Sequence, residues 1–215
     1  MVHDRDVAAF SERAPGYESG WRGRLHHDIA DRATDLALAG SSGSSGSGRP
    51  HRVLDVGCGT GYLLRRLATQ VPEAGELAGI DAATAMIETA RTMTSDRRIQ
   101  FAMATAEQLP YPQETFDLVI STTSFDHWAD QRAGLAECFR VLVPGGRLVL
   151  IDLFSAWLVP TLLAGRRDKA RTKRRATRLL AEAGFPAPQW HDLYAVIIRA
   201  AIAARPADKV DLPPH

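Results

Sequence analysis

The sequence predicts an α/β chain: a doubly wound, mostly parallel sheet with helices on both faces and a helical cap at its N-terminal end. Three observations carry this expectation. The apolar run 53–56 breaks into alternating glycines at 57, 59 and 61 and resumes as a helical pattern from Tyr62, which reads as strand, tight turn and helix. A second short apolar run, 77–80, ends in an acid, Asp81, twenty residues past Gly61. Further apolar runs at 99–103, 116–121 and 147–152 alternate with helical patterns, as parallel strands joined by crossover helices require.

Composition bounds the rest. With 215 residues, 45% of them hydrophobic and 24% charged, the chain suits one globular domain with a full-sized core. A formal net charge of +1 supplies no overall field toward nucleic acid or membrane, so any such affinity has to be local. The two cysteines, Cys58 and Cys138, form neither a disulfide framework nor a zinc spacing. No metal site is expected, and a reducing, cytoplasmic setting is. No apolar stretch approaches the length of a membrane span, and the first residues lack the apolar core of a secretory signal.

In chain order, residues 1–39 read as the N-terminal cap and helix. The first twenty are polar and broken at Pro15 and Gly16, and 21–39 form an amphipathic helix with Leu25, Ile29, Ala33, Leu36 and Ala37 on one side. Residues 40–50 are a flexible Gly/Ser loop that cannot bury apolar surface; its regularity resembles an engineered linker. The core spans 51–203. A helix from 131 to 142 ends before Pro144, Gly145 and Gly146, and strands follow at 147–152, 189–194 and 195–203. A strongly basic helix is expected at 165–178, either a solvated face or a surface for an anionic substrate or RNA phosphates; Gly184 caps the turns that follow it. Residues 204–215 should fray.

The glycine turn is where chemistry enters. Without Cβ atoms at alternate positions, the backbone adopts positive φ and a ligand can lie against bare peptide groups at a helix N-terminus. A dinucleotide fingerprint needs a third glycine three residues after the second, and that position is Tyr62, which argues against NAD. What remains, Asp55-Val-Gly57-Cys58-Gly59-Thr-Gly61, resembles the first motif of the class I S-adenosylmethionine-dependent methyltransferases, in particular the small-molecule group of ubiquinone and menaquinone biosynthesis. The likeness covers about 21–203, and the turn Arg-Val-Leu-Val-Pro-Gly-Gly-Arg-Leu-Val-Leu at 140–150 is very like the family's landmark before its fifth strand. It implies a Rossmann-like sheet of seven strands with the last antiparallel, and S-adenosyl-L-methionine as cofactor.

The resemblance also implies roles. Asp55, Gly57 and Gly59 would hold the methionine part, with Cys58 and Gly61 completing the turn. Asp81 would accept the ribose hydroxyls, a helix N-cap being the alternative, with Ala82 beside it. Met86, Thr105 and Ala106 would flank the adenine; Met86 could instead be core packing. Thr105 stands where the family usually carries an aspartate, so the adenine amino group would meet a hydroxyl without charge assistance. Glu107 matches the family pattern or is a solvent-facing helix acid. Ser121 and Thr122 would meet the amino-acid end, and Tyr17 is a lid residue or a partly buried aromatic.

The loop after the fourth strand, 122–130, lies beside the same crevice. Family members resemble it with Leu-His-His where this chain has Phe125, Asp126 and His127. Because imidazole titrates near neutral pH, His127 is the candidate base, with Asp126 orienting it; the alternative is a histidine that holds the loop. His26 and His27 are further acceptor-site candidates. The function expected is methyl transfer to a small-molecule acceptor by in-line displacement. An RNA methyltransferase using 165–178 and a non-catalytic S-adenosylmethionine-binding protein are the alternatives.

Overall fold

The structure is a computed structural model that describes residues 2–39, 50–154, 172–194 and 197–207. The Gly/Ser stretch 40–48, the basic residues 165–171 and the end of the tail, 208–215, lie outside the described residues.

Seven strands form one sheet in the order β3-β2-β1-β4-β5-β7-β6. They are β1 (Arg52–Val56), β2 (Glu76–Asp81), β3 (Ile99–Met103), β4 (Phe116–Thr122), β5 (Leu142–Leu153), β6 (Gln189–Tyr194) and β7 (Ile198–Ala204). Only β7 runs antiparallel to its neighbours, β5 and β6. Among the described residues the helices are α1 (Val2–Arg13), α2 (Gly20–Ala39), α3 (Tyr62–Gln70), α4 (Thr84–Met93), α5 (Gln131–Val141) and α6 (Lys173–Glu182). This is the Rossmann-like arrangement the glycine turn and the strand alternation predict.

Alternation along each strand divides the core between two faces, as a doubly covered sheet requires. Leu54 and Val56 of β1 join Val119, Leu148 and Leu150 under α5 and α6. Val53, Leu118, Ile120, Val149 and Ile151 point the other way, onto α2 and α3. In α3 the apolar residues Leu63, Leu64, Leu67 and Ala68 fall on one stripe and are all buried. Asp130 caps α5 by accepting the Arg132 and Ala133 amides at 2.9 and 3.1 Å. Gly184 ends the α6 region at φ +101, where the Phe185 amide returns to the Leu180 carbonyl.

Two local expectations need correcting. Residues 2–13 form a helix, although the sequence there reads as polar and broken; a three-residue 3-10 turn at Ala14–Gly16 makes the break. Its stability comes from tertiary burial, because Val7 and Phe10 pack with Ala14 on Ala83 and Met86 of the α4 region. Likewise β5 begins at Leu142 rather than Arg147, taking in the Pro144–Gly146 turn as an irregularity where pairing with β4 shifts between Phe116 and Leu118.

The functional consequence lies at β1 and β4. Chain order proceeds outward from β1 to β2 on one side and from β4 to β5 on the other, so the loops leaving β1 and β4 open a crevice between them. No helix among the described residues is long and apolar enough to cross a membrane.

Candidate active site

The turn after β1 is held by the neighbouring strand. The Gly57 and Cys58 amides both donate to the Ile80 carbonyl, at 2.8 and 2.9 Å. Gly57, Gly59 and Gly61 all have positive φ, at 78, 52 and 80°. Each glycine has a different reason. A Cβ on Gly57 would lie 2.4 Å from Ser124, so the loop after β4 closes against bare backbone there. Gly59 opens toward the Tyr17 ring, 3.8 Å from where its Cβ would be. Gly61 faces inward instead, with the Phe101 ring 2.6 Å from a hypothetical Cβ, so it serves helix packing and does not border the cleft.

Asp81, at the end of β2, sits across that turn. One carboxylate oxygen accepts the Gly59 amide at 3.0 Å and the other accepts the Ala83 amide at 2.8 Å. Asp81 thus borders the cleft but does not cap α4, whose N-cap is Ala83 with no side-chain cap bond; its bond to the Ala83 amide is a local turn contact. Burial pushes its pKa up, opposed by those amides.

Asp55 is more strongly perturbed. Its side chain is 1% exposed, and burial, aided by the charge of Asp81, raises its pKa to about 8. Its Oδ1 is buried without a hydrogen-bond partner while the residue borders the cleft. A buried polar atom left in this state is costly, and a cationic donor entering the cleft would satisfy it. Cys58 beside it is buried too, its thiol pushed well up by burial, which makes it inert rather than nucleophilic.

The cleft has two lobes that share Tyr17, Gly57, Gly59, Thr122 and Thr123. The larger, about 690 Å³, is bordered by Asp81, Ala82, Met86, Thr105, Ala106 and Glu107 on one side and by Phe10, His127 and Trp128 on the other. Met86 reconciles its two readings, since it is 1% exposed, packs in the cap cluster and still forms part of the wall. Glu107 belongs to a tight turn closed by the Thr105–Gln108 bridge, not to a helix, and its Oε1 accepts the Asp130 amide at 3.0 Å. The smaller lobe runs from Asp55 and Cys58 to His26 and His27.

The loop after β4 departs from expectation in several places. Ser121 is fully buried and does not border the cleft, its hydroxyl 2.8 Å from that of Ser124. Ser124 in turn donates to the Val56 carbonyl and accepts the Trp128 indole N–H, pinning this loop to the end of β1. Thr123 holds a strained φ of 53°, fixed by its amide on the Ile151 carbonyl at 2.8 Å. Phe125 is fully buried between Trp128 and Phe154. His127 does face the cleft, its ring edge-to-face with Phe10 at 5.0 Å. Asp126 does not border it; its amide donates to Asp152 Oδ2 at 3.1 Å.

Asp152 was not singled out by sequence reasoning. It is 3% exposed, and burial raises its pKa to about 6, with the charge of Asp126 adding to the rise and that of His127 opposing it. Phe10 and Val7 were also missed as site residues; only an acid at a strand end, as at Asp81, offered a signal for Asp152. The basic helix is described from Lys173 onward, where Lys173 pairs with Asp192 and Arg178 with Glu182. Both pairs fit a solvated face. Among the described residues no cluster of His, Cys, Asp or Glu is arranged to hold a metal.

Comparison with known proteins places this geometry. Residues 54–150 match the family model described as Methyltransferase domain. The chain is 42% identical over 139 residues to the demethylmenaquinone methyltransferase of Deinococcus radiodurans, covering 64% of this chain and 51% of that protein. It is 39% identical over 150 residues to the Thermus thermophilus protein of the same name, covering 66% and 63%. The chain thus spans about half to just under two thirds of these relatives. The PH0226 protein of Pyrococcus horikoshii OT3 shares the fold, with a TM-score of 0.71 at 20% identity over 89% of this chain and 95% of that one.

Proposed function

We propose that the chain is a class I S-adenosylmethionine-dependent methyltransferase that transfers a methyl group to a small-molecule acceptor in the cytoplasm. The observation that carries the reading is the polar make-up of the cleft: a buried, unsatisfied carboxylate oxygen at Asp55, a second carboxylate at Asp81, and a bare glycine turn between them. That set fits S-adenosyl-L-methionine, with its ammonium toward Asp55, its ribose toward Asp81 and its adenine between Met86, Thr105 and Ala106. When bound, the cofactor supplies an already activated sulfonium methyl.

The protein's own work is then alignment, exclusion of water and, for an acidic acceptor, removal of a proton. Tyr17 and Phe10 cover the cleft, and Ser124 fixes the loop that carries His127 to the end of β1. His127 is the residue placed to take a proton from the acceptor. Asp152 braces the 3-10 turn beneath it through the Asp126 amide.

The test combines labelled cofactor, a metabolite extract and the His127→Ala variant. Product in the small-molecule pool, with turnover lowered about a hundredfold and cofactor affinity unchanged, is the expected result for a base. Label in RNA or protein alone would overturn the substrate class, and no label in any pool would leave a non-catalytic binding protein.

A further inference from the structure

The carboxylate of Glu18 ties the segment that carries Tyr17 to the glycine turn and to α3. Glu18 Oε1 accepts the Thr60 hydroxyl at 2.6 Å and Arg65 Nη2 at 2.6 Å, while Oε2 lies 3.4 Å from His27 Nε2. Arg65 also donates through Nη1 to the Thr60 carbonyl at 2.6 Å, so guanidinium, carboxylate and turn form a closed set. Thr60 is the residue between Gly59 and Gly61, and it is 3% exposed. Tyr17, next to Glu18, places its ring over Gly59 and stacks on His26 at 5.0 Å. The main chain of Glu18 rests on α2 where Gly23 leaves room, since a Cβ there would fall 2.2 Å from the Glu18 carbonyl oxygen.

We infer that Glu18 is a latch, a positioning residue that holds the Tyr17 cap closed over the cofactor and sets how fast cofactor and its demethylated product leave. The inference rests on the methyltransferase reading. Swinging Tyr17 off Gly59 carries Glu18 with it, and this breaks its contacts to Thr60, Arg65 and His27 together. One of these, the Arg65 pair, is a charged hydrogen bond in a partly buried place, where such contacts are stronger than on an open surface. The partners belong to the glycine turn, α3 and α2, elements fixed by the sheet, so the cap is the part that moves. Glu18 touches no atom of the reacting pair, and its effect is exerted through Tyr17 and Thr60.

The experiment measures S-adenosylhomocysteine dissociation by stopped flow for the full chain and for Glu18→Gln and Thr60→Val. Glu18→Gln keeps the size and removes the charge; dissociation should accelerate about tenfold while association changes less than about threefold. Thr60→Val removes one donor and should accelerate dissociation about threefold. A second readout needs no ligand: trypsin cleavage after Arg13 of the ligand-free chain, just ahead of the cap turn, should be faster in both variants. Unchanged dissociation in Glu18→Gln, or unchanged cleavage in the cap, overturns the latch. Should Glu18→Gln not fold, Thr60→Val decides by the same two readouts. A parent chain that binds no S-adenosylhomocysteine sinks the methyltransferase reading itself, an outcome distinct from tight binding with unaltered kinetics.

Discussion

The floor of the cleft and its cap border the same space and are built by opposite means. The floor is backbone: the Gly57 and Cys58 amides on the Ile80 carbonyl, and the Gly59 and Ala83 amides on the Asp81 carboxylate, all set by the β1–β2 pairing. The cap is side chains: Tyr17 on His26 nearby in the chain, and, across tens of residues of sequence, Phe10 on His127 and Glu18 on Thr60 and Arg65. A floor held by strand register cannot move without breaking the sheet, whereas a cap held by a few side chains can open and close. Changes to the floor should therefore remove binding, and changes to the cap should alter its rates.

The largest effect should come from Gly57→Ala. It forces an alanine to φ 78 and puts a methyl group 2.4 Å from Ser124, so cofactor affinity should fall by about a hundredfold or more while the sheet still folds. Calorimetric titration with S-adenosylhomocysteine checks this, and near-parental affinity would show that the two loops are not locked together. Asp81→Ala should come next, losing about tenfold or more because it removes the ribose acceptor and strands the Gly59 and Ala83 amides. An unchanged dissociation constant in folded protein would take Asp81 out of the site.

Asp55 sharpens the comparison through pH. Its folded pKa of about 8 lies above the ordinary 3.8, so between these values the folded chain keeps a proton that the unfolded chain has released. Its contribution to stability is complete below about pH 4 and is lost as pH rises through about 8. The ligand-free chain should thus lose melting temperature between about pH 5 and 8, and Asp55→Asn should flatten that fall. Affinity for S-adenosylmethionine should tighten over the same range, by at most about tenfold per pH unit, because its ammonium needs the carboxylate ionised. Binding that is independent of pH would place the ammonium elsewhere. The smallest effect on affinity is expected from Tyr17→Ala, about threefold, with dissociation faster by about tenfold as in Glu18→Gln and association partly offsetting it, since the floor survives its loss. A loss as large as that of Asp81→Ala would erase the distinction between floor and cap.

The sequence by itself determined the sheet and the floor of the cleft. Strand ends at Val56 and Asp81 and glycines at alternate positions are demands of the backbone, written in consecutive residues, and the structure places Asp55, Gly57, Gly59 and Asp81 together as those demands require. It did not determine which residues of the loop after β4 face the cleft. Ser121, Phe125 and Asp126 turn away while Thr123 and His127 turn in, because Ser124 fixes the loop through contacts to Val56 and Trp128 that no local pattern encodes. Nor did it reveal α1, whose polar residues hide an apolar contact of Val7 and Phe10 that exists only once Met86 is in place. Glu18 and Asp152 escaped for the same reason: an acid beside a turn or at a strand end takes its role from the partners folding brings to it, and those partners, Arg65 for one and the Asp126 amide for the other, lie far away in the chain.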